Sequence, residues 1–400
     1  MEKIGKYITG YVKGKTPRVL YDSKQEDTLP YLSPDYLRGK SMPEQFAKNE
    51  GNVVLVDDGD VLVLWDGSNA GEVLISKKGI LASTMTKLEF DEKEIDKNYF
   101  GYAFQNLEYI LKAKTAGSGI PHADKGIIKR LEFNKPTKVE QTAIANILAK
   151  IDEAIESVQN SIAKAERLKK SLIQNLLTGK MKPDGTFRTH DEFYIDEKFG
   201  KVPVGWEVKR IKDFGEVLTG KTPPTDEPNV FAEKTSGFMF ITPGDLTTNK
   251  YIEETERYVS EKGISYSYIL PKNTVCEVCI GSTIGKIAIT TAECCSNQQI
   301  TSVIVNGDHD AEYLYYAMLS RREHFKSVAG INATPQINKS GYSKYRVLCP
   351  KEKTEQTAIS QKISCIDKNI SIQEKKIKLL EHLKKSLMQH LLTGKIRIES

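Results

Sequence analysis

The sequence predicts an α+β protein built as a tandem repeat. Two strand-rich α/β domains are separated by two long α-helices that pair as an antiparallel coiled coil, with pseudo-twofold symmetry. Three observations predict it. First, Glu140 to Lys180 and Glu355 to Lys395 align without a gap over about 41 residues, about half of them identical, which marks duplication of a whole unit. Second, apolar residues recur in both copies at alternating spacings of four and three, the period of a coiled-coil seam. Third, the remaining globular segments carry matching turn motifs in matching order.

Residues 1–135 form the first globular domain. Strand-like runs at Val53–Val56, Val61–Leu64 and Val73–Ile75 are broken by turn chemistry at Asp57–Asp60, Asp66-Gly67 and Lys78-Gly79. A helix is expected from about Lys97 to Ala113, then a loop from Thr115 to His122, then a strand near Ile127–Phe133.

Residues 136–180 form the central helical spacer. Its seam runs through Ile144, Leu148, Ile151, Ile155, Val158, Ile162, Ala165, Leu172 and Leu176, with Lys169 interrupting it. Residues 181–203 are polar, contain Pro183-Asp184-Gly185, and read as a linker.

Residues 204–350 repeat the first domain's plan. Gly220-Lys-Thr-Pro223 answers Gly14-Lys-Thr-Pro17, Phe240-Ile-Thr-Pro243 answers Tyr31-Leu-Ser-Pro34, and Gly281-Ser-Thr-Ile-Gly285 answers Gly67-Ser-Asn-Ala-Gly71. Tyr313–Ala317 answers Tyr99–Ala103, and Gly330–Gln336 answers Gly117–His122. Residues 351–400 form the C-terminal spacer. Its seam is Ile359, Ile363, Ile366, Ile370, Ile377, Leu380, Leu387 and Leu391, with Gln373 and Lys384 as interruptions. Both spacers close on Leu-Leu-Thr-Gly-Lys, where Gly179 and Gly394 can take the left-handed conformation that ends a helix. A helix of about 40 residues is about 60 Å long, too long to bury in one small domain, so each copy is expected to pack on the other.

The 400 residues allow two to three domains with their own cores. Neither a membrane-spanning apolar run nor a signal-peptide core is present, so a cytoplasmic protein is expected. The net charge of +5 is too small to imply nucleic acid by itself, and any DNA surface must be a local patch.

Motifs for chemistry fail on context. Cys276, Cys279, Cys294 and Cys295 have zinc-like spacing, but at an offset of 214 they fall on Leu62, Trp65, Ile80 and Leu81 of the first copy. They therefore read as buried thiols on strands. Gly215–Thr222 fits the phosphate-cradling pattern, yet Pro223-Pro224 opposes the helix that the pattern requires. Asp184 with Asp196-Glu197-Lys198 resembles a nuclease pattern, but lies in the polar segment without rigid strands. Thr222-Pro-Pro-Thr225 lacks the amide and the aromatic of an amino-methylation motif, and the six histidines show no metal-ligand spacing. No catalytic, cofactor-binding or metal-binding residue is assigned in this chain.

Two unlike heads on paired helices suit a split, asymmetric address on double-stranded DNA, where paired modules read half-sites. Base edges are read by small polar and basic side chains. The candidate readers in the first domain are Lys15, Ser68, Asn69, Ser83, Thr84, His122 and Lys125. In the second they are Lys221, Ser282, Thr283, Lys286, Asn297, Gln298, Gln299, Gln336 and Lys339. For each of them the plain alternative is a solvated or turn-stabilising polar residue.

The chain resembles the DNA-specificity subunits of Type I restriction–modification systems over essentially its whole length. The resemblance rests on Glu-Gln-Thr-Ala-Ile at 140–144 and 355–359, Leu-Lys-Lys-Ser-Leu at 168–172 and 383–387, Leu-Leu-Thr-Gly-Lys at 176–180 and 391–395, and Val202-Pro-Val-Gly-Trp206. It implies a non-catalytic subunit with two target-recognition domains and two helical spacers. It implies assembly with two modification subunits, which bind S-adenosylmethionine and methylate adenine at N6, and with two restriction subunits, which use ATP and Mg²⁺. The helix faces away from the seam and the Leu-Leu-Thr-Gly ends would dock the modification subunits. One departure is that the chain begins almost inside the first target domain, so the C-terminal helix must supply the neighbour that a preceding helix would have been. Two other readings stay open on sequence alone: a P-loop-like NTP-binding enzyme using Gly215–Thr222, and a coiled-coil structural protein without DNA.

Overall fold

The computed structural model describes all residues except 40, 41, 43, 44, 115–120, 331–334, 399 and 400. Most of the loop expected from Thr115 to His122, and residues 331–334 of its counterpart, lie outside the described residues. The chain folds as two compact units, Met1–Asn160 with Gln373–Ser400, and Ser161–Ile372.

In the first unit the chain runs β1 (Glu2–Lys3), β2 (Ile8–Lys13), β3 (Thr28–Leu32), α1 (Pro34–Leu37), β4 (Phe46–Lys48), β5 (Leu55–Val56), β6 (Val61–Leu64), β7 (Val73–Ile75), β8 (Gly79–Leu81), β9 (Met85–Phe90), α2 (Lys97–Asn106), α3 (Glu108–Lys114), α4 (Lys125–Arg130), β10 (Glu132–Phe133) and the start of α5 (Lys138–Leu176). Two four-stranded sheets result, ordered β2-β9-β6-β7 and β4-β3-β8-β5. Strand β6 explains the unbroken Val-Leu-Val-Leu run. Val61 and Val63 join the core under the helices, while Leu62 and Leu64 join a second core with Leu32, Val56 and Leu81. A strand covered on both faces needs apolar residues at every position.

Two elements of this unit differ from those expected. The helix expected over Lys97–Ala113 is two helices, α2 and α3, divided at Leu107. The strand expected over Ile127–Phe133 is mostly helix α4. Asp124 accepts a hydrogen bond from the Ile127 N–H and so starts a helix where Ile127-Ile128 suggested a strand.

The second unit continues with β11 (Phe193–Asp196), β12 (Gly200–Pro203), β13 (Trp206–Arg210), β14 (Gly215–Thr219), β15 (Phe231–Ala232), β16 (Phe238–Ile241), β17 (Tyr251–Ile252), β18 (Arg257–Val259), α6 (Glu261–Ile264), β19 (Val275–Val278), β20 (Ile287–Thr290), β21 (Cys294–Ser296), β22 (Ile300–Val305), α7 (Ala311–Ser320), α8 (Arg322–Val328), α9 (Lys339–Lys344), β23 (Arg346–Pro350) and the start of α10 (Lys353–Leu391). Its sheets are β14-β22-β19-β20-β17 and β15-β18-β16-β21, with the pair β13-β23 beside them. The stretch expected as a plain linker holds a hairpin, since β11 and β12 pair antiparallel from Phe193↔Pro203 to Asp196↔Gly200. Val202 is fully buried in this unit's core.

Each unit contains part of both long helices, and they run antiparallel. In the first unit Glu140 pairs with Arg397 and Asp152 with Lys384, so one number rises as the other falls. In the second, Lys169 pairs with Asp367, and Arg188, beyond the end of α5, pairs with Glu355. Of the seam positions, Ile144, Leu148, Ile151, Leu176, Ile359, Ile363 and Leu391 are buried, and all but Ile151 belong to cores shared with the head of their unit. Ile155, Ile162, Leu172, Ile366, Ile370, Ile377, Leu380 and Leu387 are half-buried. The lysines that interrupt the pattern are ion-pair partners. Lys384 meets Asp152 at 2.6 Å and Lys169 meets Asp367 at 2.5 Å. Each aspartate also accepts from a head tyrosine, Tyr102 at 2.8 Å and Tyr316 at 2.5 Å.

The Glu-Gln-Thr-Ala-Ile motif fixes each helix start to its head. Buried Gln141 donates to the Pro136 carbonyl at 2.9 Å and accepts from the Asp96 N–H at 2.8 Å. Gln356 repeats this with the Pro350 carbonyl at 2.9 Å and the Asp310 N–H at 3.0 Å. At the other end, Gly179 and Gly394 have φ of +66° and +75°. A side chain on Gly179 would also strike the Pro203 ring.

Candidate nucleic-acid interface

In the first unit four segments meet: the end of β2, the β6–β7 turn, the β8–β9 turn and the approach to α4. Gly14 donates to the Met85 carbonyl at 3.0 Å, and Trp65 donates to the Thr84 carbonyl at 2.7 Å. Gly67 donates to the Pro121 carbonyl at 3.2 Å, and Ala123 to that of Trp65 at 2.9 Å. Asp66 and His122 form an isolated antiparallel bridge. A Cβ on Gly14 would lie 2.1 Å from the Ala82 carbonyl oxygen, so the close approach of β2 to the next turn requires glycine.

The second unit repeats this frame bond for bond. Gly220 donates to Ile300 at 3.0 Å, Cys279 to Gln299 at 2.8 Å, Gly281 to Pro335 at 2.9 Å and Ile337 to Cys279 at 2.9 Å. The bridge is Ile280 with Gln336. The turn motifs matched in the sequence are therefore equivalent corners of one backbone frame, on which different side chains stand.

The frame brings most of the candidate readers together within each unit. Thr16 donates to Ser83 at 3.1 Å beside Lys15, and Lys125 lies 5.0 Å from the centre of the Tyr11 ring. Ser68, Asn69, Thr84 and His122 are exposed on the joined turns. In the second unit Thr222 donates to Gln298 at 2.5 Å, and Lys221 lies 4.4 Å from the centre of the Tyr268 ring. Thr283 is half-buried, and Ser282, Gln336 and Lys339 are exposed. Two residues serve the frame itself. Asn297 is tied to Gln299 by two bonds of 3.1 Å, and half-buried Lys286 lies 3.5 Å from the Pro243 carbonyl.

Charge is left over at this surface. Among the described residues, Lys15, Lys125, Lys221, Lys286 and Lys339 have no carboxylate within ion-pair distance. Unpaired lysines beside small polar side chains suit phosphates and base edges. Sequence reasoning missed Lys13 and Asp66, which pair at 2.9 Å, and the exposed Tyr268. It also passed over Thr16 and Thr222, which the repeated Gly-Lys-Thr could have marked. Partial burial opposes the Asp66 charge, but hydrogen bonds from Lys13 and His122 outweigh it and hold the carboxyl below the usual carboxylate range.

Gly215–Thr219 is strand β14, paired along its length with β22, and coil and turn follow it where a phosphate loop needs a helix. Cys276 and Cys294 belong to one core, Cys279 to a second and Cys295 to a third, so the four thiols do not converge. Burial pushes the Cys276 thiol up to about 12.

A family model for the Type I restriction modification DNA specificity domain matches residues 6–167 and again 203–382. The chain belongs to this family. It is 32% identical to the MjaVIII specificity subunit, a Type I restriction enzyme subunit of Methanocaldococcus jannaschii, over 410 aligned residues covering 100% of this chain and 93% of the relative. It is 29% identical over 202 residues to the HindI specificity subunit of Haemophilus influenzae, covering 49% of this chain and 42% of that one. In fold it is similar to the S subunit of a Type I restriction–modification system from M. genitalium, with a TM-score of 0.64 at 16% identity over 98% and 95% of the two chains. A structure described for complex assembly and conformational transition of the type I R-M system gives a TM-score of 0.51 at 11% identity over 99% and 97%. The two matched segments of this specificity-family chain each contain one of the loop frames. Among its described residues, no helix is long and apolar enough to cross a membrane.

Proposed function

We propose that this chain is the non-catalytic DNA-recognition subunit of a cytoplasmic Type I restriction–modification complex. It reads a bipartite asymmetric site in double-stranded DNA, one half with each loop frame. One observation carries this reading: the same backbone frame occurs twice with different exposed side chains. A duplicated frame keeps the mode of approach, and the side chains on it set the sequence read. Methyl transfer from S-adenosylmethionine to adenine N6 belongs to two modification subunits. ATP and Mg²⁺ belong to two restriction subunits. The test is methylome sequencing of cells that express this chain with its modification subunit. Replacing residues 1–135 with the corresponding segment of another specificity subunit is expected to change one half-site only. A change in both halves, or in neither, would refute the one-frame-one-half reading.

Docking of the modification subunits belongs to the outer faces of the helices. Leu168 and Leu383 open the same repeated motif and are 49% and 46% exposed, so both copies of the motif present a leucine to solvent at the same place. The Leu-Leu-Thr-Gly ends expected to share this role contribute less, because Leu176, Leu177, Leu391 and Leu392 are buried in their own units. Leu168→Glu and Leu383→Glu are each expected to weaken co-purification of the modification subunit at least tenfold, with thermal unfolding unchanged. Undiminished co-purification of both variants would remove the helix faces from the docking surface.

A further inference from the structure

His122 and Gln336 occupy the same place in the two frames, the outer member of the isolated bridge, and both are exposed. Their bridge partners differ. Ile280 gives Gln336 no polar side-chain neighbour, whereas Asp66 lies 2.6 Å from His122 Nδ1 and 2.9 Å from Lys13 Nζ. The Lys13 bond keeps Asp66 ionised, so Asp66 accepts a hydrogen bond from the Nδ1–H of His122. The ring is then held by a charge-assisted bond to the bridge that fixes its backbone. Nε2 has no partner among the described residues, and the side chain is 62% exposed.

We propose that His122 Nε2 reads one base pair of the first half-site, and that Asp66 is the positioning residue that orients it. The proposal rests on the reading of this frame as a DNA surface. It adds a division of labour that the duplication does not share. In the first unit an acid–histidine pair presents a single ring nitrogen. In the second, the Gln336 carboxamide, which has no hydrogen-bond partner among the described residues, presents both a donor and an acceptor. An exposed imidazole loses little entropy in binding once its ring is already fixed, which is the advantage of the Asp66 bond over a solvated histidine.

The test uses the full chain assembled with its modification subunits, with methylation measured at the recognised site and at every single-base substitution of it. His122→Ala is expected to lower discrimination about tenfold at one base pair of the first half-site, leaving the second half-site unchanged. Asp66→Ala should relax the same base pair, and the double variant should be no worse than His122→Ala alone. Asp66→Asn, whose side-chain oxygen can still accept from Nδ1, should restore most of the discrimination. A merely structural Asp66 would instead lower methylation evenly at all sites. His122→Gln, a surface change that leaves Asp66 in place, should alter the preferred base at that same pair. Unchanged discrimination in His122→Ala and His122→Gln overturns the proposal, as does relaxation spread over both halves. If replacing residues 1–135 changes the first half-site while these variants do not, only this proposal fails. If that replacement changes neither half, the DNA reading of the frame fails with it.

Discussion

Glu277 lies on β19 with 1% of its surface exposed, and its Oε2 has no hydrogen-bond partner among the described residues. The matching residue of the first unit is Val63, which packs in the core under the helices. Burial pushes the Glu277 carboxyl up to about 8, with Tyr342 and Arg322 pulling the other way without offsetting it. The folded protein therefore holds a proton that the unfolded chain, with an ordinary carboxyl near 4.5, has already released. Stability falls as pH rises between those two values and levels off above the higher one. The loss across the window is on the order of a few kcal/mol. Glu277→Gln keeps the shape of the protonated acid and removes the titration. Its thermal unfolding should match the wild type near pH 5 and lie clearly higher near pH 9. Parallel curves for the two proteins would show that this carboxyl is already ionised in the fold. Sequence made some residues of this kind legible and hid others. The repeat alignment placed Ser68, His122, Ser282 and Gln336 on one frame because the turn glycines and prolines recur. Nothing local marked Asp66, whose role depends on a bridge to a residue 56 positions away.

Among the elements, the two long helices were readable because a seam of period 3.5 repeats over many turns. Lys169 and Lys384 were readable only as breaks in that seam, since their partners Asp367 and Asp152 lie on the other helix. Each aspartate joins three elements: its own helix, the facing lysine, and a tyrosine from the head helix α2 or α7. Polar groups in a seam fix register more than they add stability. Asp367→Ala should therefore cost about 1–3 kcal/mol, because Lys169 and the Tyr316 hydroxyl both lose a partner. Replacing Asp367 and Lys169 together by leucine should return the part of that loss that comes from Lys169, while the Tyr316 hydroxyl stays without its acceptor. Chemical denaturation of the three proteins checks this, and a double variant as unstable as Asp367→Ala would contradict the register role. Shorter elements were less legible for a physical reason. The β11–β12 hairpin carries apolar Phe193, Ile195, Phe199 and Val202, but Asp196, Glu197, Lys198 and Lys201 lie among them in an otherwise polar stretch, so no unbroken strand pattern stands out in its sequence. Helix α4 was decided by one capping aspartate against two β-branched residues.

At the scale of the whole molecule, α5 and α10 are single helices whose residues are shared out between the two units, with the divisions after Asn160 and Ile372. The ion pairs that fix register lie inside the units: Asp152 with Lys384 in the first, and Lys169 with Asp367 in the second. Both helices can therefore be lengthened at the divisions without parting any of these pairs. Four residues with strong helix propensity, inserted after Asn160 and again after Ile372, add about 6 Å of helix to each. If helix length sets the gap between half-sites, the preferred gap should grow by about one to two base pairs, since a base pair rises about 3.4 Å. Both half-site sequences should stay as they are, because neither loop frame is touched. Inserting four residues after Asn160 alone lengthens one helix against an unaltered partner and should abolish methylation, not shift the gap. Methylome sequencing of the single and double insertions reads all three outcomes at once. Normal methylation by the double insertion at the original gap would mean that the helices hold the complex together while something else measures the DNA.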